Sequence, residues 1–89
     1  MNLYEVESLV SARNFLLTTK TKVVLTNPQG STRYYGMRVI DRIFEILKRE
    51  FPDKIEGTIV NAYDDYPAFV TARALGYSQI QYFNRATAN

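Results

Sequence analysis

Two short runs rich in β-branched residues, Lys22-Val23-Val24-Leu25-Thr26 and Thr58-Ile59-Val60, lie on either side of a long segment whose apolar residues recur every three or four positions. A run without polar alternation suits a strand covered on both faces. A helix-period segment between two such runs is the pattern of a strand, a crossover helix and a second strand parallel to the first. Such crossovers are right-handed in nearly all folds. A chain patterned in this way is constrained to a small α/β domain before any other residue is considered.

The flanking segments extend the same alternation. Val6, Leu9, Val10, Arg13, Leu16 and Leu17 mark a first helix from about Val6 to Leu17. Asn27-Pro28-Gln29-Gly30-Ser31 is a turn, after which Ser31 or Thr32 caps the main helix. That helix is expected to run unbroken from Thr32 to Phe51, with Tyr35, Val39, Ile43, Phe44, Leu47 and Phe51 as its apolar stripe. Arg38 with Asp41, and Glu45 with Lys48 or Arg49, are its expected ion pairs, and Pro52 ends it. A second strand follows at Ile55–Ala62. Asp64, Asp65 or Tyr66 then caps a third helix with Pro67 in its first turn and Gly76 at its end. Ser78 to Phe83 alternates as the final strand, and Asn84 to Asn89 reads as a flexible tail.

The expected fold is one α/β domain over residues 1–89, with the order α-β-α-β-α-β and a three- to four-stranded, mainly parallel sheet in two or three layers. A short strand at Leu3 to Val6 would supply the fourth strand, but its residues argue for it less than they do for the others. A domain this short buries only roughly 60–65% of its unfolded surface. Its single core is therefore marginal, and support from a second copy, as a homodimer, is an expectation.

Composition narrows the chemistry. The chain has no cysteine and no histidine. It can form no disulfide or thiolate site, and it lacks the side chain best suited to proton transfer near neutrality. This leans away from an enzyme. The first residues carry no basic, then apolar leader pattern, and no stretch reaches the ~20 apolar residues of a membrane span, so a cytoplasmic location without membrane contact is expected. Formal charge is +2. It is unevenly placed, since Ser8 to Ile40 holds Arg13, Lys20, Lys22, Arg33 and Arg38 with no acid, and the acids return from Asp41 to Asp65. A solvated face explains this more readily than a nucleic-acid surface.

In open parallel sheets, ligands sit beyond the carboxyl ends of the strands. Two loops qualify. Gly30, Ser31, Thr32 and Arg33, at a helix start, would hold a phosphate or another small anionic ligand, or would simply turn and cap the helix, the spacings of phosphate-binding motifs being absent. Asp64 and Asp65 would bind Mg²⁺, or would cap the next helix. A contact between Arg33 and Asp64 would merely pin the loops together. The seven tyrosines exceed what a core of this size needs. Tyr34, Tyr35 and Tyr66 are interface candidates, and Tyr34 and Tyr35 beside Arg33 and Arg38 would also suit stacking on bases.

The segment Asn61-Ala62-Tyr63-Asp64-Asp65-Tyr66-Pro67, continuing to Ala72-Arg73-Ala74-Leu75-Gly76, resembles the strand, acidic loop, alanine-rich helix and glycine of short uncharacterised α/β proteins of alphaproteobacteria. Tyr63 stands where such loops often carry glycine. The resemblance covers most of the chain and implies a fold but no activity. The functional expectation is a non-enzymatic domain that self-associates or binds a protein partner. The alternative is a domain binding a small anion or nucleotide phosphate through the loops at 27–33 and 61–67.

Overall fold

The structure, a computed structural model, describes residues 2–83. The elements are β1 (Leu3–Glu5), α1 (Leu9–Thr18), β2 (Val23–Thr26), α2 (Ser31–Tyr35), α3 (Met37–Glu50), β3 (Ile55–Tyr63), α4 (Tyr66–Ala74) and β4 (Ile80–Tyr82). All three strand pairings are parallel, and the strands lie side by side in chain order, β1-β2-β3-β4. The tail expected at 84–89 lies outside the described residues.

Strand order decides the layering. When each strand is placed beside its predecessor on the same side, right-handed crossovers put every connecting helix on one face of the sheet. The packing agrees, since α3 touches α1 on one flank and α4 on the other. The domain therefore has two layers. Between them lies one core in which Ala12 and Leu16 of α1, Ile40, Phe44 and Leu47 of α3, and Ala68 and Ala72 of α4 meet Val23, Leu25, Val60 and Ala62 of the sheet. Alternation then puts Val24 and Thr26 of β2 on the opposite face. There Val24 is in register with Leu3 and Gly57, and Thr26 with Glu5 and Ile59. All four residues of β2 are buried, as its run of apolar residues predicts, although helices cover only one of its faces.

One open possibility is realised, and two expectations need correction. The weakly signalled strand near the amino terminus exists, as β1, whose three residues pair with Val24–Thr26. Val6, expected to open the first helix, instead prolongs the strand direction. It donates its N–H to Thr26 O at 2.8 Å and is buried in the core. The helix starts only after Ser8, whose Oγ accepts from the Ser11 N–H at 3.1 Å. Rotating the start in this way leaves Val10 and Leu17 exposed, at 68% and 65%, while Ala12 and Leu16 are buried.

The long helix is the second correction, because it is two helices. Gly36 takes φ 83° and ψ 148°, a conformation essentially confined to glycine, and separates α2 from α3. Beyond the break the buried positions are Met37, Ile40, Phe44 and Leu47. Tyr35 and Val39, which fit an unbroken stripe, are 58% and 46% exposed. Ion pairing differs too: Arg42 approaches Glu45 at 3.9 Å, and Glu50 receives a two-pronged contact from Arg13 of α1, at 2.8 and 2.6 Å.

A Cβ at Gly36 would meet nothing within 4 Å. Gly36→Ala therefore isolates backbone strain from packing, and it should destabilise the fold by about 1–3 kcal/mol in urea denaturation with an unchanged m-value.

Candidate functional site

β2 and β3 end side by side, and the loops that leave them are joined by a hydrogen-bonded network centred on Asn27. This side chain is 2% exposed. Its Nδ2 donates to Asn61 O at 2.9 Å and to Ser31 Oγ at 2.8 Å, and its Oδ1 accepts from Asn61 N–H at 2.8 Å. Asn27 thus continues the sheet by one side chain, taking both main-chain groups of a β3 residue as a strand neighbour would. Asn61 passes the constraint on, because its Oδ1 accepts from Tyr63 N–H at 3.1 Å. Tyr63 sits in the left-handed region at φ 46°, where glycine is the ordinary occupant, and it ends the strand.

The loop residues singled out from sequence are indeed neighbours, and they engage one another. Thr32 Oγ1 donates to Asp65 Oδ2 at 2.8 Å in a buried contact, while Asp65 Oδ1 accepts from Ala68 N–H at 3.2 Å and caps α4. Arg33 Nη2 donates to Asp64 Oδ1 at 3.1 Å and to Asp64 O at 3.2 Å. Gly30, at φ 88°, turns the chain into α2, and Ser31 N–H donates to Pro28 O at 3.0 Å. The four residues placed at an anion site and the two placed at a Mg²⁺ site therefore lie at one end of the sheet, with Ser31, Thr32, Arg33, Asp64 and Asp65 all bonded within the chain. Among the described residues no three His, Cys, Asp or Glu side chains are grouped to hold a metal ion.

The aromatic candidates separate into two kinds. Tyr34 is 88% exposed and Tyr35 58%, both on the short α2. Tyr66 is 59% exposed, but its ring lies 6.2 Å from Phe69 and 6.0 Å from Tyr82, at the margin of a cluster between α4 and β4. Asn27, which organises the edge, is legible in sequence only as a turn former. The available signal is that an asparagine stands at the end of one central strand and another, Asn61, near the end of the next.

A second concave region lies toward the amino ends of the strands and was not foreseen. It is a groove of about 590 Å³ between the first half of β3, the loop from Leu75 to Gln79 and the polar flank of α3. Tyr77 Oη donates to Asp41 Oδ1 at 2.6 Å, its ring meets Phe44 edge-on, and Lys48 Nζ lies 5.4 Å from the ring centre. Burial, followed by the hydrogen bond to Asp41 and the negative charges of Asp41 and Glu45, pushes the Tyr77 hydroxyl well above the usual tyrosine range.

Fold and edge together define a singly wound, two-layer α/β domain. No family model matches the chain, and no solved structure matches it. A protein of Rickettsia prowazekii (strain Madrid E), called Uncharacterized protein RP547, is 46% identical over 79 residues, which is 89% of this chain and 74% of that one. The chain belongs to the family of this alphaproteobacterial protein, as the resemblance at 61–76 implies. Among the described residues no helix is long and apolar enough to cross a membrane.

Burial ranks the contacts at the edge. Asn27→Ala removes three hydrogen bonds, the one to Ser31 buried and the two to Asn61 part-buried, and should lower stability by about 2–4 kcal/mol, whereas a double-mutant cycle on Arg33 and Asp64, where Arg33 is 59% exposed, should return no more than about 1 kcal/mol. Thr32→Val, which leaves a buried carboxylate oxygen without its donor, falls between these, at about 1–3 kcal/mol. Tyr77 gives a pH signature. Its folded-state ionisation is raised, so its contribution to stability is intact below the unfolded tyrosine value of about 10 and declines as pH rises beyond it. In an ultraviolet titration of wild type against Tyr77→Phe, the difference spectrum should show no tyrosinate until the pH is well above the ordinary tyrosine value of about 10.

Proposed function

We infer that this chain is a protein-interaction domain whose partner is a second copy of itself, docked on the helix-free face of the sheet. One observation carries the reading. Parallel sheets are almost always covered on both faces, and among the described residues this one has helices on one face only. Across the open face run Leu3 and Glu5 of β1, Val24 and Thr26 of β2, Gly57, Ile59, Asn61 and Tyr63 of β3, and Gln81 of β4. Its centre is neutral, with Val24 and Thr26 already buried at 6% each, so the exposed apolar surface lies toward its margins. Leu3 is 56% exposed, and Phe83, just past β4, is 47% exposed.

Self-pairing suits this distribution. Two such faces stacked about a two-fold axis would cover both sheets at once, at the spacing of about 10 Å typical of packed sheets. No like charges would meet at the centre. Lys22, one residue before β2, continues the alternation onto this face, and an axis perpendicular to the strands would carry it toward Glu5 of the partner copy. Four strands by about five residues amount to roughly 300–400 Å² per copy, below the ~800 Å² of a standard interface, so association is weak and depends on concentration. The anion-binding alternative has less support, because Thr32 and Arg33 already donate to Asp65 and Asp64.

Sedimentation equilibrium should detect a monomer–dimer exchange as the chain approaches about 0.5 mM. Ile59→Lys should shift that exchange at least about tenfold toward monomer while the thermal midpoint falls by only a few degrees. A strict monomer throughout, or a dimer indifferent to Ile59→Lys and Leu3→Lys, would refute the reading.

A further inference from the structure

We propose that the free edge of β3, before β4 begins, binds an extended basic polypeptide segment as an added strand. β3 runs from Ile55 to Tyr63, but β4 accompanies it only from Val60 onward. Val60 donates its N–H to Gln79 O at 3.0 Å, which fixes the residues that turn their backbone groups toward the β4 side. By the same alternation Thr58 turns its N–H and C=O to that side. There no described strand residue is in register with Thr58, and no described loop backbone bonds to it. An unpaired strand edge of this kind is a template for another strand.

What lies beside the edge specifies the occupant. Thr58 opens into the 590 Å³ groove, whose walls carry Asp41, Glu45 and Lys48 of α3 and Glu56 of β3. Three carboxylates line the groove with one ammonium, and Arg42 approaches Glu45 at 3.9 Å, so the groove is weakly negative on a chain of formal charge +2 and favours a cationic segment. The α3 wall is held before anything binds, by the 2.6 Å bond from Tyr77 to Asp41 and by Lys48 resting over the Tyr77 ring. A second copy of this edge is excluded as the occupant, since Glu56 and its acidic neighbours would then face their own equivalents. A strand with Lys or Arg at alternate positions meets both demands. Its main chain takes the N–H and C=O of Thr58, and its cationic side chains lie on one face against the carboxylates.

The proposal is independent of self-association, which sedimentation reports separately. The probe is an end-blocked hexapeptide alternating Lys and Val, titrated into the isotope-labelled full chain. It should shift the amide resonances of Thr58 and Gln79 and slow hydrogen exchange at Thr58. A Glu-Val counterpart, and a Lys-Val analogue N-methylated along one edge, should each bind at least about tenfold more weakly. Glu56→Lys should weaken the Lys-Val peptide and strengthen the Glu-Val one, a reversal that loss of folding cannot mimic. Shifts confined to other surfaces, equal binding of the N-methylated analogue, or no binding of the Lys-Val peptide would each overturn the proposal.

Discussion

The handedness of the strand crossovers governs this domain more than any single contact. Strands laid down in chain order, each joined to the next by a right-handed connection, can place their helices on one side only. The single core, with Phe44 and Leu47 at its centre, and the uncovered sheet face both follow from that geometry. A doubly wound sheet of the same length would divide its few helices between two thinner cores. Here Ala12, Ala68 and Ala72 let α1 and α4 approach closely while α3 supplies the bulk.

Against this background Asn27 serves a precise purpose. β2 ends at Thr26, four residues before the next helix begins, whereas β3 continues to Tyr63. By taking both the N–H and the C=O of Asn61, the Asn27 side chain substitutes for the main chain that β2 no longer provides. The buried bond from Thr32 to Asp65 then fixes α2 to the start of α4. The carboxyl edge is built as a joint between neighbouring units, which accounts for the polar residues gathered there.

The parts that were legible in sequence are those where one local signal dominates. Val23 to Leu25 and Thr58 to Val60 are β-branched runs with no competing periodicity, and Pro67 and Gly76 bracket α4 as helix punctuation should. β1 was hard to read because three residues carry too little pattern, and its stability comes from pairing with β2 rather than from its own preference. The break at Gly36 was hidden because Tyr35 and Val39 happen to extend the stripe across it, and an isolated glycine within a helical pattern is ordinarily tolerated. At the edge, the proximity of Arg33 and Asp64 followed from parallel topology. The part played by Asn27 did not, because whether a polar side chain is buried depends on tertiary neighbours that no local window contains.

A sheet ordered strictly by chain position has one more consequence. Each strand touches only the strands before and after it, and the two outermost are just three residues long. Such an architecture can lengthen at either border by adding one more strand and helix on the existing side, without rethreading anything already folded. Growth by accretion, rather than by insertion, is the route to larger versions of this fold that its wiring leaves open.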